Sequence, residues 1–135
     1  MNNSVFENKK LVRKFYEEMF CHRRVKESSL MLSENYIQNN NTFIPPGRDG
    51  FVKFFNKFVK KFKASGCDII NVCGEDDIVY LYATHWVLFL KMKLKWKVID
   101  IYRVKDGELV EHWDSIEPTT TLSRIIYLFK ACLGF

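Results

Sequence analysis

The chain is most constrained where two strand-like segments, residues 94–104 and 108–117, are separated by a turn containing Asp106 and Gly107. Lysines alternate with apolar residues along the first segment, which is the period-two pattern of a strand with two different faces. An Asp-Gly pair between such segments is typical of a β-hairpin. Asp100 stands on the apolar face, where an unpaired charge is costly. We therefore expect an antiparallel hairpin with an acid inside its core.

The turn length decides which side chains join Asp100, because a one-residue slip moves a strand's side chains to the opposite face. A two-residue turn would place Trp113 opposite Asp100 and turn His112 and Asp114 away. A three-residue loop that includes the preceding lysine would pair Asp100 with His112 and Val98 with Asp114. We favour the three-residue loop because it gathers five apolar side chains on one face. These are Trp96, Val98, Tyr102, Val110 and Ile116.

Helical spacing of apolar residues dominates the first half of the chain, whereas β-branched and aromatic residues dominate after Gly66. Helices followed by strands predict an α+β fold, and the length fits one domain, residues 1–135. The predicted helices cover about 4–21, 25–33 and 51–62, the predicted strands about 67–74, 78–90, 94–104 and 108–117, and a final amphipathic helix 119–135.

Composition excludes several classes of protein. No window of 18 apolar residues occurs, and the first residues lack the basic flank of a signal peptide, so we expect neither a membrane span nor secretion. Four cysteines without Cys-x-x-Cys spacing and three histidines predict no metal or cofactor. Cys67 and Cys73 would stand ~20 Å apart on one strand, too far for a disulfide. A reduced, cytoplasmic protein is the expectation.

Two amphipathic helices bear on possible partners. The predicted helix 51–62 carries five phenylalanines on one side and lysines on the other, a pattern that can lie on nucleic acid or membrane. So many aromatic rings on one stripe favour burial instead, and the net charge of +5 is modest, so we expect no nucleic-acid partner. Three roles stay open for the tail 119–135: closing a pocket, packing on a partner, or touching a membrane. We favour the first and place membrane contact last.

The hairpin resembles the closing hairpin of SnoaL-like proteins, in the nuclear transport factor 2-like superfamily. Residues 98–104 and 106–114 carry this resemblance, which spans about 5–117 and leaves 118–135 outside. It implies a cone-shaped fold in which N-terminal helices pack in a strongly curved, mostly antiparallel sheet around a pocket, commonly as a dimer through the sheet. The supporting segments are 11–20, 36–40, 47–55 and 79–85.

The resemblance also implies a site. Asp100 falls where the family's ketosteroid isomerase has an acid that donates a hydrogen bond to a developing oxyanion. His112 would then move a proton, and Asp114 would orient the imidazole. The alternative for Asp100 and His112 is a buried pair that serves structure alone. Only one face of the strand that carries His85 can line the pocket, and His85 is interpreted as a core or interface histidine.

Some positions depart from the family pattern. Asn39 stands where SnoaL-like proteins usually have a histidine, and Asn41 where they have a proline. The isomerase's tyrosine would fall at Phe15, with Tyr16 turned by about 100° around the helix. The residues predicted to contact a ligand are Tyr16, Asn39, Tyr82, Trp86, Trp96, Val98, Tyr102 and Ile116.

Two functions remain open at this point. The first is a cofactor-independent isomerase, cyclase or dehydratase that moves a proton next to the carbonyl of a small apolar or carbonyl-containing molecule, and such acid–base help is typically worth ~10²–10⁴ in rate. The second is a non-catalytic ligand-binding or dimeric interaction module with the same cone fold, because folds of this kind do not determine function. Either protein would be a homodimer through the sheet.

Overall fold

The structure, a computed structural model, describes residues 3–39 and 43–133. Asn41, at the family's proline position, and the end of the predicted tail helix lie outside the described residues. The elements in chain order are α1 (Asn3–Tyr16), a π-helical turn (Glu17–Cys21), α2 (Val25–Ser29), β1 (Leu32–Gln38), α3 (Gly47–Lys61), β2 (Ser65–Glu75), β3 (Ile78–Phe89), β4 (Met92–Lys105), β5 (Glu108–Pro118) and α4 (Thr121–Cys132).

The five strands form one curved sheet in the order β1-β5-β4-β3-β2. β1 pairs in parallel with β5, and all the other neighbours are antiparallel. The α+β prediction, with N-terminal helices and an additional C-terminal helix, is confirmed. The four predicted strands are also confirmed, to within two residues at every end.

The core lies between the sheet and the helices α1 and α3. α1 contributes its predicted apolar stripe, of which Val12 and Phe15 are fully buried. Phe51 and Phe55 of α3 are buried, while the lysines on its other side remain exposed. The other three phenylalanines of the predicted stripe are half-buried, so the stripe faces the core but is enclosed only in part.

β1 is a strand that the sequence pattern did not predict. Residues 30–33 were expected to continue the second helix, but α2 ends at Ser29 and the chain extends from Leu32. The strand is polar and lacks a regular alternation, so its backbone is held by hydrogen bonds to β5 rather than by propensity. Strands are therefore not confined to the second half, and this edge strand places Gln38 beside β5.

The β4–β5 hairpin closes with a two-residue turn. Lys105 pairs with Glu108, and φ is +51° at Asp106 and +78° at Gly107, as a type I′ turn requires. The three-residue loop predicted from the sequence is therefore wrong. The pairing then shifts by one residue, because a β-bulge at Val110 adds one residue to β5.

Beyond the bulge, Asp100 pairs with Asp114, Tyr102 with His112 and Val98 with the isoleucine two residues after Asp114. The predicted pairs of Asp100 with His112 and of Val98 with Asp114 are therefore wrong, and each observed partner lies two residues further along β5. The side chains nevertheless point to the predicted side of the sheet. A two-residue turn followed by one bulge gives the same alternation of side chains along β5 as a three-residue loop. Asp100, His112 and Asp114 all turn toward the helices.

The outer face of the sheet is not covered by any other described element. Tyr80 and Ile99 are exposed to 40% and 46% there, and Tyr82 pairs with Ile99 between β3 and β4. Among the described residues, no helix is long and apolar enough to cross a membrane. α4 is likewise largely exposed along its length, except at Ser123.

Candidate functional site

A cavity of about 340 Å³ lies between the concave face of the sheet and the helices α1 and α3. Its walls are mostly aromatic and aliphatic, with Phe20, Phe51, Phe55 and Trp96 among them. A group of polar side chains interrupts this apolar lining. They are Tyr16, Gln38, His85, Asp100, His112 and Asp114.

Asp100 is the centre of the polar group, because both of its carboxylate oxygens have partners. The hydroxyl of Tyr16 donates to Oδ2 over 2.7 Å, and Nε2 of His112 lies 2.7 Å from Oδ1. All three residues are buried. The aspartate is thus a bridge between the first helix and the closing hairpin.

His85 extends this chain on the other side of Tyr16. Its Nε2 is hydrogen-bonded to the Tyr16 hydroxyl. Burial lowers the pKa of His85 to about 4, with Asp100 acting in the opposite direction, so the imidazole is neutral near pH 7. Burial, and then the charge of Asp100, raises the pKa of Tyr16, which therefore keeps its proton. The N–H of His85 donates to Tyr16, and the Tyr16 O–H donates to Asp100.

Gln38, at the end of β1, completes the chain at His112. Its Oε1 lies 2.8 Å from Nδ1 of His112, so this ring nitrogen carries a hydrogen and donates. The hydroxyl of Tyr36 donates to the same oxygen over 3.4 Å. The other ring nitrogen, Nε2, faces Oδ1 of Asp100, so the imidazole links the edge strand to the aspartate. The amide nitrogen Nε2 of Gln38 is buried and has no hydrogen-bond partner among the described residues.

Asp114 stands opposite Asp100 on β5 and lines the same cavity. Burial raises the pKa of Asp114, the His112 charge lowers it, and the Asp100 charge raises it further. Both ring nitrogens of His112 already have other partners, so Asp100 and Gln38 orient the imidazole. The orienting role expected for Asp114 stays a prediction, since these two hydrogen bonds describe only the contacts of the ring nitrogens.

Asp100, His112 and Asp114 each offer a ligand atom, and these atoms lie within 4.8 Å of one another. Carboxylates and imidazole are common metal ligands. A metal ion would have to replace the direct 2.7 Å contact between Asp100 and His112, which is a short, favourable hydrogen bond.

Several predicted ligand contacts line the cavity. Trp96 stacks on His85 with 5.7 Å between ring centroids, and Tyr102 stacks on His112 at 4.5 Å. The aromatic rings thus hold both imidazoles in place. Val98 and Ile116 also line the cavity.

Other predicted contacts lie elsewhere. Tyr82 is on the outer face of β3 and does not line the cavity, because side chains alternate along the strand and His85 takes the inner face. Asn39 is exposed, and its amide donates to Glu111 and to the His112 backbone instead of facing the cavity. Trp86 borders the cavity beside Gly66, whose missing side chain leaves room for the ring.

The sequence pattern missed His85 and Gln38 as site residues. His85 shares its strand face with Leu81, Ala83 and Val87, and these small and aliphatic neighbours were the available sign that this face turns inward. Tyr16, rather than Phe15, supplies the hydroxyl in the site. No sequence signal marks Gln38, because the strand that carries it was not predicted.

Comparisons with known proteins agree with this fold. A family model described as SnoaL-like polyketide cyclase matches residues 10–125, and so includes the first part of α4. A solved structure from Bacillus cereus, named provisionally as a polyketide cyclase, has a TM-score of 0.73 at 22% identity, covering 87% of this chain and 76% of its own. An NTF2-like protein from Anabaena variabilis has a TM-score of 0.70 at 16% identity, covering 82% and 90%. No curated protein matches significantly.

Proposed function

Because the chain belongs to the SnoaL-like polyketide cyclase family, we propose that it catalyses a cofactor-independent proton transfer next to the carbonyl of a small, largely apolar molecule. An isomerase, a cyclase and a dehydratase all share this step, since each can begin by removing a proton from the carbon beside a carbonyl. The single observation that carries the proposal is an apolar cavity whose wall holds Gln38 and Asp114 beside the hydrogen-bonded pair of Asp100 and His112.

We assign the proton acceptor to Asp114. It lines the cavity, and burial raises the pKa of its carboxyl toward the range in which a carboxylate is an effective base near neutral pH. Asp100 is less suited to this task, because Tyr16 and His112 already occupy its two oxygens. The role predicted for Asp114, orienting His112, is replaced here by direct proton transfer.

We assign the carbonyl oxygen of the substrate to Gln38. Its buried Nε2 is a donor without a partner among the described residues, and such a group is costly unless a ligand acceptor meets it. Negative charge develops on the carbonyl oxygen when the neighbouring carbon loses its proton, and a fixed donor stabilises that charge. This contact takes the oxyanion role that the resemblance gives to Asp100.

The pair of Asp100 and His112 supports both groups. Because both oxygens of Asp100 have hydrogen-bond partners, its carboxylate is fixed in position on the cavity wall. Tyr16 and Gln38 hold the two ends of the pair in place. The aromatic lining then selects a ligand with an apolar, ring-containing body.

Hydrogen–deuterium exchange tests the shared step without knowledge of the product. A bicyclic aryl ketone such as α-tetralone is incubated with the protein in D₂O, and loss of the signal of the protons beside the carbonyl is followed by NMR. The protein should accelerate exchange, and Asp114→Asn should slow it by ~10²–10⁴-fold. Asp106→Asn is the matched control, because this exposed turn position accepts Asn and lies outside the cavity.

The alternative, a non-catalytic binding module, predicts a different result. The ketone would then quench the fluorescence of Trp96, which lines the cavity, while exchange would proceed at the same rate with and without the protein. That combination would contradict the proposed catalysis and leave ligand binding as the function.

We further propose a homodimer formed through the outer face of the sheet. This face combines exposed Tyr80 and Ile99 with half-buried Tyr82 and Trp113. An apolar face of this kind, covered by no described element, gains free energy when a second copy removes it from water.

A further inference from the structure

Two cysteines far apart in sequence meet at the base of the helical layer. Cys21 ends the π-helical turn and Cys67 lies on β2, and their sulfur atoms are 2.6 Å apart. The thiol of Cys21 also lies 3.5 Å from the backbone oxygen of Cys67, to which it donates. Formation of a disulfide requires the two sulfurs to approach by roughly a further 0.6 Å, because an S–S bond is about 2.05 Å long.

We propose that Cys21 and Cys67 form a reversible intramolecular disulfide, which makes this thiol pair an oxidation site beside the cavity. Both residues are half-buried, so a small oxidant can reach them. The sequence spacing excluded a disulfide between Cys67 and Cys73, which lie on one strand. It does not bear on a disulfide between Cys67 and Cys21. Oxidation at this site does not depend on the proposed proton transfer.

A β-bulge places Cys67 and Cys73 on opposite faces of β2. The register of β2 with β3 shifts between Ile69 and Asn71. Before the shift Cys67 pairs with the inward-facing His85, and after it Cys73 pairs with the exposed Tyr80. Without the shift, two cysteines six residues apart would share one face. The bulge therefore leaves Cys67 inside and Cys73 outside.

The chemistry is thiol–disulfide exchange with a low-molecular-weight disulfide such as oxidised glutathione. Burial raises the pKa of the Cys67 thiol, which favours Cys21 as the first attacking thiolate. Cys21 forms a mixed disulfide and releases one glutathione thiolate. Cys67 then loses its proton and attacks the Cys21 sulfur, which releases the second glutathione thiolate. Two protein thiols are oxidised, and one glutathione disulfide is reduced to two thiols, with the two protons passing to solvent or to the released thiolates.

The bond would tie together two elements of the polar chain. Cys21 belongs to the turn that directly follows Tyr16, and Cys67 pairs in the sheet with His85. Tyr16 and His85 are themselves hydrogen-bonded. A disulfide here closes a long loop, so the oxidised protein should melt roughly 5–15 °C higher than the reduced protein.

The experiment uses a Cys73→Ser/Cys132→Ser background, which removes the two exposed thiols and leaves the pair. The reduced protein is incubated with oxidised glutathione and examined by intact mass spectrometry and non-reducing peptide mapping. We expect a mass loss of two hydrogens, a linked peptide containing Cys21 and Cys67, and reversal by dithiothreitol. The melting temperature is recorded for both forms.

Adding Cys67→Ser to this background should abolish the mass loss and the rise in melting temperature, and should trap glutathione on Cys21. Adding Cys21→Ser tests the same bond if the first variant folds poorly, and it should also abolish both changes. Retention of glutathione by the unsubstituted pair, or two thiols that stay free at high oxidant concentration, would overturn the proposal.

Discussion

Tyr16 on α1 and His85 on β3 are hydrogen-bonded to each other through the tyrosine hydroxyl and the imidazole Nε2, inside the core. The same hydroxyl donates to Asp100. One side chain of the first helix is therefore connected to two strands of the sheet, so the site and the packing of the helix depend on each other.

Replacing Tyr16 with phenylalanine should destabilise the protein by about 1–3 kcal/mol, because Asp100 and His85 both lose a buried partner. Urea unfolding measures this change. Tyr127→Phe is the control, since Tyr127 is exposed on α4 and its substitution should change stability by less than about 0.5 kcal/mol. Equal stability of the two variants would show that the buried hydroxyl contributes nothing.

Stability should fall as the pH is lowered, because of His85. Burial lowers the pKa of His85 to about 4, whereas the unfolded chain titrates near ~6.5. Between these two pKa values the folded state binds fewer protons than the unfolded state. The contribution of His85 to the free energy of unfolding is therefore complete above about pH 6.5 and is lost as the pH falls toward about 4. The full contribution corresponds to about 3 kcal/mol.

Urea unfolding at several pH values between about 7 and about 4 tests this dependence. His85→Gln should give a shallower decline than the wild-type protein, while His22→Asn, at an exposed position, should keep the wild-type slope. Asp114 has the opposite effect on stability. Its pKa is raised in the folded protein, so as the pH falls the folded state binds a proton before the unfolded state does, and stability rises. The comparison of variants therefore isolates the histidine, and identical slopes would refute its role.

Gln38→Leu should slow the ketone exchange by about 10²–10³-fold, as loss of one oxyanion donor does elsewhere. The substitution removes the unpartnered Nε2 donor and the oxygen that accepts from His112. Asn39→Ala is the adjacent control, because Asn39 is exposed and bonds only at the rim of β5. If Asn39→Ala had the larger effect, the oxyanion contact would belong at the family's histidine position instead.

The two turn residues of the closing hairpin should respond differently to substitution. Gly107 has a φ of +78°, so Gly107→Ala should cost about 1–2 kcal/mol. Asp106→Asn should be close to neutral, because Asn-Gly is also favoured in this turn. Thermal unfolding distinguishes them, and a harmless Gly107→Ala would contradict a type I′ turn.

Ile99→Glu should convert the proposed dimer into a monomer, because it places a charge at the centre of the exposed sheet face. Sedimentation velocity at high micromolar concentration gives the mass. Leu128→Glu, on the exposed side of α4, should leave the dimer intact. A wild-type protein that sediments as a monomer would exclude this interface.

Much of the fold follows from local pattern. Alternation and turn residues specify the ends of β2 to β5, and helical spacing identifies the aromatic side of α3. The bulge at Val110 has no comparable local signature, because it arises from how β5 fits a curved sheet. The pattern therefore gives the correct face of the hairpin but not the correct partners.

The polar chain illustrates a second limit. Asp100 and His112 could be placed on one face from the hairpin pattern alone, although they are not paired in the observed register. Gln38 joins them through an edge strand whose own residues are polar and irregular, and its position depends on parallel pairing with a distant segment. Tyr16 depends on the rotation of a whole helix about its axis. Local periodicity thus does not determine contacts between residues that are far apart in the sequence.

α4 is attached to the rest of the protein mainly at its first turn. Ser123 donates to the backbone of Lys95, while most apolar side chains of the following turns face water. Such a helix can unfold locally without disrupting the core. The free energy of unfolding of α4 is therefore separate from that of the rest of the protein. Backbone amides of α4 should exchange with solvent at nearly the same rate in mildly destabilised variants, because their protection reports a local equilibrium rather than global unfolding.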